Sequence, residues 1–179
     1  MTLPQYRDNL GELFEDSTGK IAVEIGTHQA VFASAFMQHW NGFLHLVDPW
    51  EGYTPEHETF YPNFQPKTQN REQDYQIALA IMAPYRDRIE FHKTTSERAC
   101  KLIYSPDLIY IDGLHDYQNV KEDIERWWNK LTPGGWLCGH DYHEDLPEVI
   151  QAVDEFVKQV ELELHLTEDY MPTWMVQRP

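Results

Sequence analysis

Short apolar runs, most rich in β-branched residues, alternate along this chain with stretches of helical spacing. Ile21-Ala22-Val23-Glu24-Ile25 is the first such run, and Gly26-Thr27 breaks it. Phe43-Leu44-His45-Leu46-Val47-Asp48 is the second, stopped by Pro49. Arg88 to His92, Leu108 to Ile111 and Trp136 to Cys138 follow. Two late runs, Leu162 to Leu166 and Thr173 to Val176, close the series. Each is strand length, and most carry no polar face, so they predict strands buried on both sides. Between them lie apolar residues at helical spacing. Val31, Phe32, Ala35, Phe36 and Trp40 form one stripe, and Ile124, Trp127, Trp128 and Leu131 another. Helices are predicted near 73–85, over 96–103 and 120–131, and from Pro147 to Val160. Strand–helix alternation throughout predicts an α/β fold, a doubly wound and mostly parallel sheet with helices on both faces.

No repeat or linker divides the 179 residues, so a single domain over 1–179 is expected. Residues 1–18 are expected to open with a helix carrying Leu3, Tyr6, Leu10, Leu13 and Phe14. The 50–70 segment reads as a lid-like insertion, holding Pro55, Pro62 and Pro66 among Tyr53, Phe60, Tyr61 and Phe64. Lys plus Arg is 14 and Asp plus Glu is 30, a net charge of −16. Such a chain repels polyphosphate and anionic lipid, so neither nucleic acid nor membrane is an expected partner. No apolar run approaches the ~20 residues of a membrane span. Cys100 and Cys138 make no disulfide framework and are expected to be reduced and buried. A cytoplasmic setting fits these features, and the start at Met1 shows no signal-peptide pattern.

Parallel α/β sheets bind ligands beyond the carboxyl ends of their strands. Here polar residues collect at those ends. Glu24, Gly26, Thr27 and His28 follow the first strand, where a glycine lets a ligand approach the backbone. Asp48 ends the second strand and suits the hydroxyls of a ribose. Asp112-Gly113-Leu114-His115-Asp116-Tyr117 follows Ile111, and Gly139-His140-Asp141-Tyr142-His143 follows Cys138. Asp112, His140 and Asp141 form a candidate divalent-metal set, Mg²⁺ by their oxygens or a transition metal by the imidazole. His115 is a candidate general base because an imidazole titrates near working pH. Asp123 is read as part of a solvated helix face, Trp127 and Trp128 as helix packing, and His143, Glu144 and Asp145 as an exposed loop and helix cap.

Val23-Glu24-Ile25-Gly26-Thr27, Val47-Asp48-Pro49-Trp50, Ile111 to Tyr117 and Leu131-Thr132-Pro133-Gly134-Gly135 together resemble class I S-adenosylmethionine-dependent methyltransferases. The nearest likeness is to small-molecule O-methyltransferases related to catechol and macrocin O-methyltransferases. The resemblance implies a Rossmann-like sheet of about seven strands whose last strand is antiparallel. It implies that Glu24, Gly26, Thr27 and His28 hold the methionine end of S-adenosylmethionine, that Asp48 takes the ribose and that Ser96 contacts the adenine. Asp112 is shared between cofactor, metal and chemistry. It also implies metal binding at Asp112, His140 and Asp141, with His115 as catalytic base. Three positions depart from the family pattern. Ala30 stands for a glycine, Phe32 for a small polar residue and His140 for an acid.

The expected activity is O-methylation of a small hydroxylated acceptor, with Mg²⁺ or another divalent cation assisting. Three rivals stay open: a metal-independent methyltransferase, a non-catalytic cofactor-binding module and a metal-dependent hydrolase on His140 to His143. Trp50, Tyr53, His57, Phe60 and Tyr61 would suit a sugar or aromatic acceptor, or a homodimer contact.

Overall fold

Seven strands pair in the order β3-β2-β1-β4-β5-β7-β6 in the computed structural model, which describes residues 3–51 and 70–179. The expected lid lies almost wholly outside the described residues. The strands are β1 (Ile21–Ile25), β2 (Phe43–Asp48), β3 (Ile89–Lys93), β4 (Leu108–Ile111), β5 (Trp136–Gly139), β6 (His165–Leu166) and β7 (Trp174–Gln177). β1 to β5 run parallel, and β7 lies antiparallel between β5 and β6. The helices are α1 (Val31–Phe36), α2 (Arg71–Met82), α3 (Ser96–Leu102), α4 (Tyr117–Trp128) and α5 (Pro147–Val160).

Strand side chains alternate between two cores, as period-2 geometry requires. Ala22, Leu44, Leu46, Leu108 and Tyr110 face the N-terminal segment, α1 and α2. Val23, Ile25, Val47, Ile109 and Ile111 face α3, α4 and α5. Burial on both sides is why these strands read as continuous apolar runs. Trp127 is buried, and Trp128 packs edge-on against Phe156 with ring centres 5.0 Å apart, as read from the sequence. Cys100 and Cys138 are free and buried. Among the described residues, no helix is long and apolar enough to cross a membrane.

Several elements differ from their sequence reading. The N-terminal segment forms a 3₁₀ helix over Arg7–Leu13, not an α-helix over 1–18. Leu10 and Leu13 are three apart, a spacing that stacks on a 3₁₀ helix as well as on an α-helix. Val31 is exposed, so the buried stripe of α1 is Phe32, Ala33 and Phe36. α4 starts three residues early, because the Asp116 side chain accepts from the Asn119 N–H and caps it. Only His165 and Leu166 of the predicted 162–166 strand pair with β7; Glu161 turns left-handed, and Leu162 and Leu164 pack on the α5 side instead. α5 begins at Pro147 without a side-chain cap, so His143, Glu144 and Asp145 are not its cap. They form a loop in which the Asp145 N–H donates to His143 Nδ1.

The chain runs from β1 to β3 on one side of the sheet, then crosses to β4 on the other side of β1. That reversal opens a crevice at the carboxyl ends of β1 and β4.

Candidate functional site

The crevice is narrow where β1 ends. Gly26 has φ +89°, and a Cβ added to it would lie 2.0 Å from the Asp112 carbonyl oxygen. Glycine is therefore needed here so that the loops after β1 and β4 can touch. Gly113 is different. A Cβ there would meet only ordinary contacts, Ile25 at 3.8 Å and Asp123 at 4.0 Å. The protein itself does not require a glycine at 113, so the bare backbone leaves a cradle open to a ligand.

Asp48 organises the other side. Its Oδ2 accepts from the His28 N–H at 3.0 Å and its Oδ1 from the Trp50 N–H at 2.7 Å. A carboxylate has about four acceptor positions, so two remain for hydroxyls. Trp50 is buried against Tyr75 and Phe91, and its indole N–H donates to the His28 carbonyl at 2.8 Å. It is thus a strut beneath the loop and not an acceptor contact. Tyr53, His57, Phe60 and Tyr61 lie outside the described residues. The His28 ring is half-exposed, 3.4 Å from Asp74 on α2. Ala30 adopts φ +60° and is fully buried, so the departure from glycine falls at a left-handed position. Phe32 stacks on Tyr110 with ring centres 3.9 Å apart.

Glu24 and Thr27 are buried, and among the described residues no partner meets hydrogen-bond geometry at Glu24 Oε2 or Thr27 Oγ1, although Thr27 stands close enough to steady the Glu24 charge. Such orphans are costly unless a ligand satisfies them. Burial pushes the Glu24 carboxyl up to about 8, helped by Asp112 and Asp48 and opposed by Thr27 and Arg7. Between the ordinary value of 4.5 and about 8, the unfolded chain ionises Glu24 while the folded one keeps it protonated. Stability without ligand should therefore fall as pH rises through that window. Glu24→Gln should gain on the wild type by a few kcal/mol at pH 8, and little near pH 4.5. Urea unfolding at both pH values checks this, and parallel wild-type and variant curves would contradict it.

Beyond β4 and β5 a relay of ionisable groups crosses the crevice. His115 Nε2 lies 2.6 Å from Asp141 Oδ2 and 3.8 Å from Asp112 Oδ1. His140 Nδ1 lies 2.8 Å from Asp141 Oδ1, and its Nε2 is 3.1 Å from an Arg7 guanidinium nitrogen. Guanidinium only donates, so His140 Nε2 accepts and Nδ1 carries the proton toward Asp141. Both ring nitrogens of His140 are thereby engaged. In this crevice, Asp112, His115 and Asp141 place ligand atoms within 4.8 Å of one another. His140 Nδ1 is also 3.7 Å from Asp112 Oδ1, so both imidazoles stand beside the two carboxylates of the expected metal set.

Burial alone would lower the His115 pKa, but Asp112 and Asp141 outweigh it and raise it to about 9. Without a cation beside them, these carboxylates hold the ring in its charged form at neutral pH. Burial alone would raise the Asp141 pKa, yet His115 and His140 hold it well below the usual carboxylate range. Asp141 is left-handed, at φ +63°.

Ser96 is spoken for as well. Its hydroxyl donates to Asp123 at 2.5 Å and accepts from the Trp127 indole at 2.8 Å. Contact with an adenine would fall to its backbone or its remaining lone pair. Asp123 is buried, and burial pushes it up to about 6 against the pull of Ser96 and Arg126. It is not part of a solvated face. Arg7 was also missed in sequence. It stands 5.6 Å over the Phe32 ring and is held by Asp169, which accepts from its backbone N–H at 2.7 Å. Nothing in the local sequence pattern marks it.

A family model described as a methyltransferase domain matches residues 23–142. An uncharacterized protein of Sinorhizobium fredii is 30% identical over 129 residues, which cover 66% of this chain and 13% of that protein. The match thus spans only about an eighth of that curated relative. A structure named as a candidate caffeoyl-CoA O-methyltransferase from Staphylococcus aureus superposes with a TM-score of 0.68 at 14% identity, covering 96% of this chain and 82% of that one. An O-methyltransferase from Bacillus cereus, in complex with S-adenosylhomocysteine, gives 0.62 at 16% identity, covering 89% and 74%. An rRNA methylase from Streptococcus thermophilus gives 0.66 at 15%, covering 96% and 93%. At these identities the likeness establishes a shared fold and does not choose an acceptor.

Proposed function

Since the chain belongs to the methyltransferase domain family, we propose that it transfers the methyl group of S-adenosylmethionine to the hydroxyl oxygen of a small acceptor, with a divalent cation held by Asp112 and Asp141. The observation that carries this reading is convergence at the strand-order reversal. The unpartnered Glu24 and Thr27, the half-used Asp48 and the open cradle at Gly113 all line one crevice. Their chemistry fits the cofactor. A buried carboxyl and hydroxyl suit an amino acid end, and Asp48 keeps acceptor capacity for ribose hydroxyls. Similar structures named O-methyltransferases incline the reading toward oxygen. The net charge of −16 opposes a polyanionic acceptor such as RNA.

When bound, the cofactor supplies a methyl group already activated by its sulfonium; an O–CH₃ bond forms, the S–CH₃ bond breaks and S-adenosylhomocysteine remains. The chain's own residues chiefly align the two partners and exclude water. Asp112 and Asp141 would offer oxygens to a cation such as Mg²⁺, with His115 Nε2 left outside its ligand set. A cation on these oxygens would lower the pKa of an acceptor hydroxyl. A cation there would weaken the hold of the two carboxylates on the His115 proton, and His115 Nε2 is the group placed to accept from the acceptor hydroxyl. His140, tied between Arg7 and Asp141, orients the Asp141 carboxylate.

Calorimetric titration with S-adenosylhomocysteine tests the reading, after EDTA and again with Mg²⁺ or Mn²⁺. Micromolar binding is expected, and absence of binding under both conditions would overturn it. Gly113→Ala should fold like the wild type yet weaken that binding by about tenfold or more, about 1.4 kcal/mol. Equal affinity in the variant would remove the cradle from the cofactor site. Turnover that survives EDTA would favour the metal-independent rival. Cofactor binding without turnover across hydroxylated sugars and phenols would favour a non-catalytic module.

A further inference from the structure

A second cluster of metal-ligating side chains lies away from the crevice, at the β2–β3 edge of the sheet. His45 pairs in register with Glu90, and His92 lies two residues further along β3. All three side chains therefore project from one face. His45 Nδ1 is 2.9 Å from His92 Nε2 and 3.5 Å from Glu90 Oε2, and His92 Nε2 is 3.8 Å from that same oxygen.

We propose that His45, Glu90 and His92 form a binding site for a zinc-class divalent cation that fastens the edge strand β3 to β2. A tetrahedral ion with ligands at roughly 2.0–2.1 Å needs donor atoms about 3.3 Å apart. The observed triangle of 2.9, 3.5 and 3.8 Å brackets that spacing without backbone movement. Two imidazoles and one carboxylate are the donor set of three-ligand zinc sites, with a fourth position left for water. Both rings are largely buried while Glu90 is exposed, so the ion would enter from the Glu90 side. Burial lowers the proton affinity of both imidazoles, and His92 lowers that of His45 further, against the pull of Glu90. Of the two facing nitrogens, 2.9 Å apart, one carries a proton that a cation would displace. The neighbouring cations on β3 and just before it are committed elsewhere. Lys93 bonds Glu72 at 2.8 Å, and Arg88 donates to the Trp40 and Gly42 carbonyls.

The test uses the full chain stripped with chelator. Zn²⁺ is titrated against a chromophoric chelator, and Co²⁺ is added as a spectroscopic probe. Asp141→Asn disables the crevice trio and keeps this site separate from it. The expected result is one Zn²⁺ retained in Asp141→Asn, with visible Co²⁺ bands of tetrahedral intensity and a Tm that rises with Zn²⁺. His92→Gln should weaken that binding by about 100-fold and abolish the Tm rise, and Glu90→Gln, on an exposed residue that the fold does not need, by about tenfold. Excess Mg²⁺ should not compete, since imidazoles suit it poorly. Zn²⁺ affinity unchanged in both His92→Gln and Glu90→Gln, or lost in Asp141→Asn alone, would overturn the proposal.

Discussion

Gly26→Ala is expected to cost at least about 4 kcal/mol, the range reached only by a short list of structural faults. Two of them act together here. The residue sits at φ +89°, where a side chain is strained. Its new Cβ would also stand 2.0 Å from the Asp112 carbonyl oxygen and 2.5 Å from the carbonyl carbon. Backbone cannot yield as a flexible side chain does, because Asp112 is fixed by its N–H donating to the Ile25 carbonyl at 2.8 Å. The loops after β1 and β4 must part, and the two central strands with them. A domain of this size holds about 5–15 kcal/mol in all. The variant should therefore be largely insoluble or melt at least about 8–16 °C lower. Thermal unfolding followed by circular dichroism checks it, with Gly113→Ala as the control for a glycine that has room. A Gly26→Ala protein that melts like the wild type would mean the crevice is wider than the strand ends indicate.

The second large effect is on turnover. His115→Ala should lower kcat by about 10²–10⁴, the usual contribution of a positioned acid or base. It should leave S-adenosylhomocysteine affinity within about threefold, since the ring's contacts run to Asp141 and Asp112 and not to Glu24 or Asp48. The experiment compares kcat, KM and calorimetric affinity on whichever hydroxylated acceptor the screen identifies. An equal fall in affinity would make His115 a cofactor residue. Unchanged turnover would take it out of the chemistry altogether.

Much of the fold is readable because its strands are buried on both faces. β1, β2, β4 and β5 stand out as apolar runs, and glycine or a helix cap marks several of their ends. The edge is harder. Leu162 to Leu166 alternates like a strand, yet only its last two residues find a partner. The strand-end rule singled out Asp48, Asp112, His115 and Asp141, which the structure gathers around one crevice. His115 and His140 both follow strands and both stand within 4 Å of Asp112 and Asp141, so sequence position alone does not separate their roles. Asp123 did carry a signal. Val120, Asp123, Ile124 and Trp127 share one helical stripe, so its position on the inner face was visible even though its chemistry suggested solvent. Arg7 had no such signal, because it reaches the site through contacts more than 130 residues away in sequence.

That reach has a bearing on the order in which the molecule is made. The Glu168 N–H donates to the Gln5 carbonyl at 2.8 Å, and Asp169 holds the Arg7 backbone across a separation of 162 residues. On the ribosome the first segment emerges long before its anchor exists. β1 to β5 can pair while Arg7 is still free, and His140 then has no cation at its Nε2. A nascent chain stalled before residues 168 and 169 could pair β1 to β5 but would lack β7 and the Asp169 anchor on the Arg7 backbone. Closing so long a loop is slow relative to local pairing. The contact that completes the site is thereby among the last the growing chain can form.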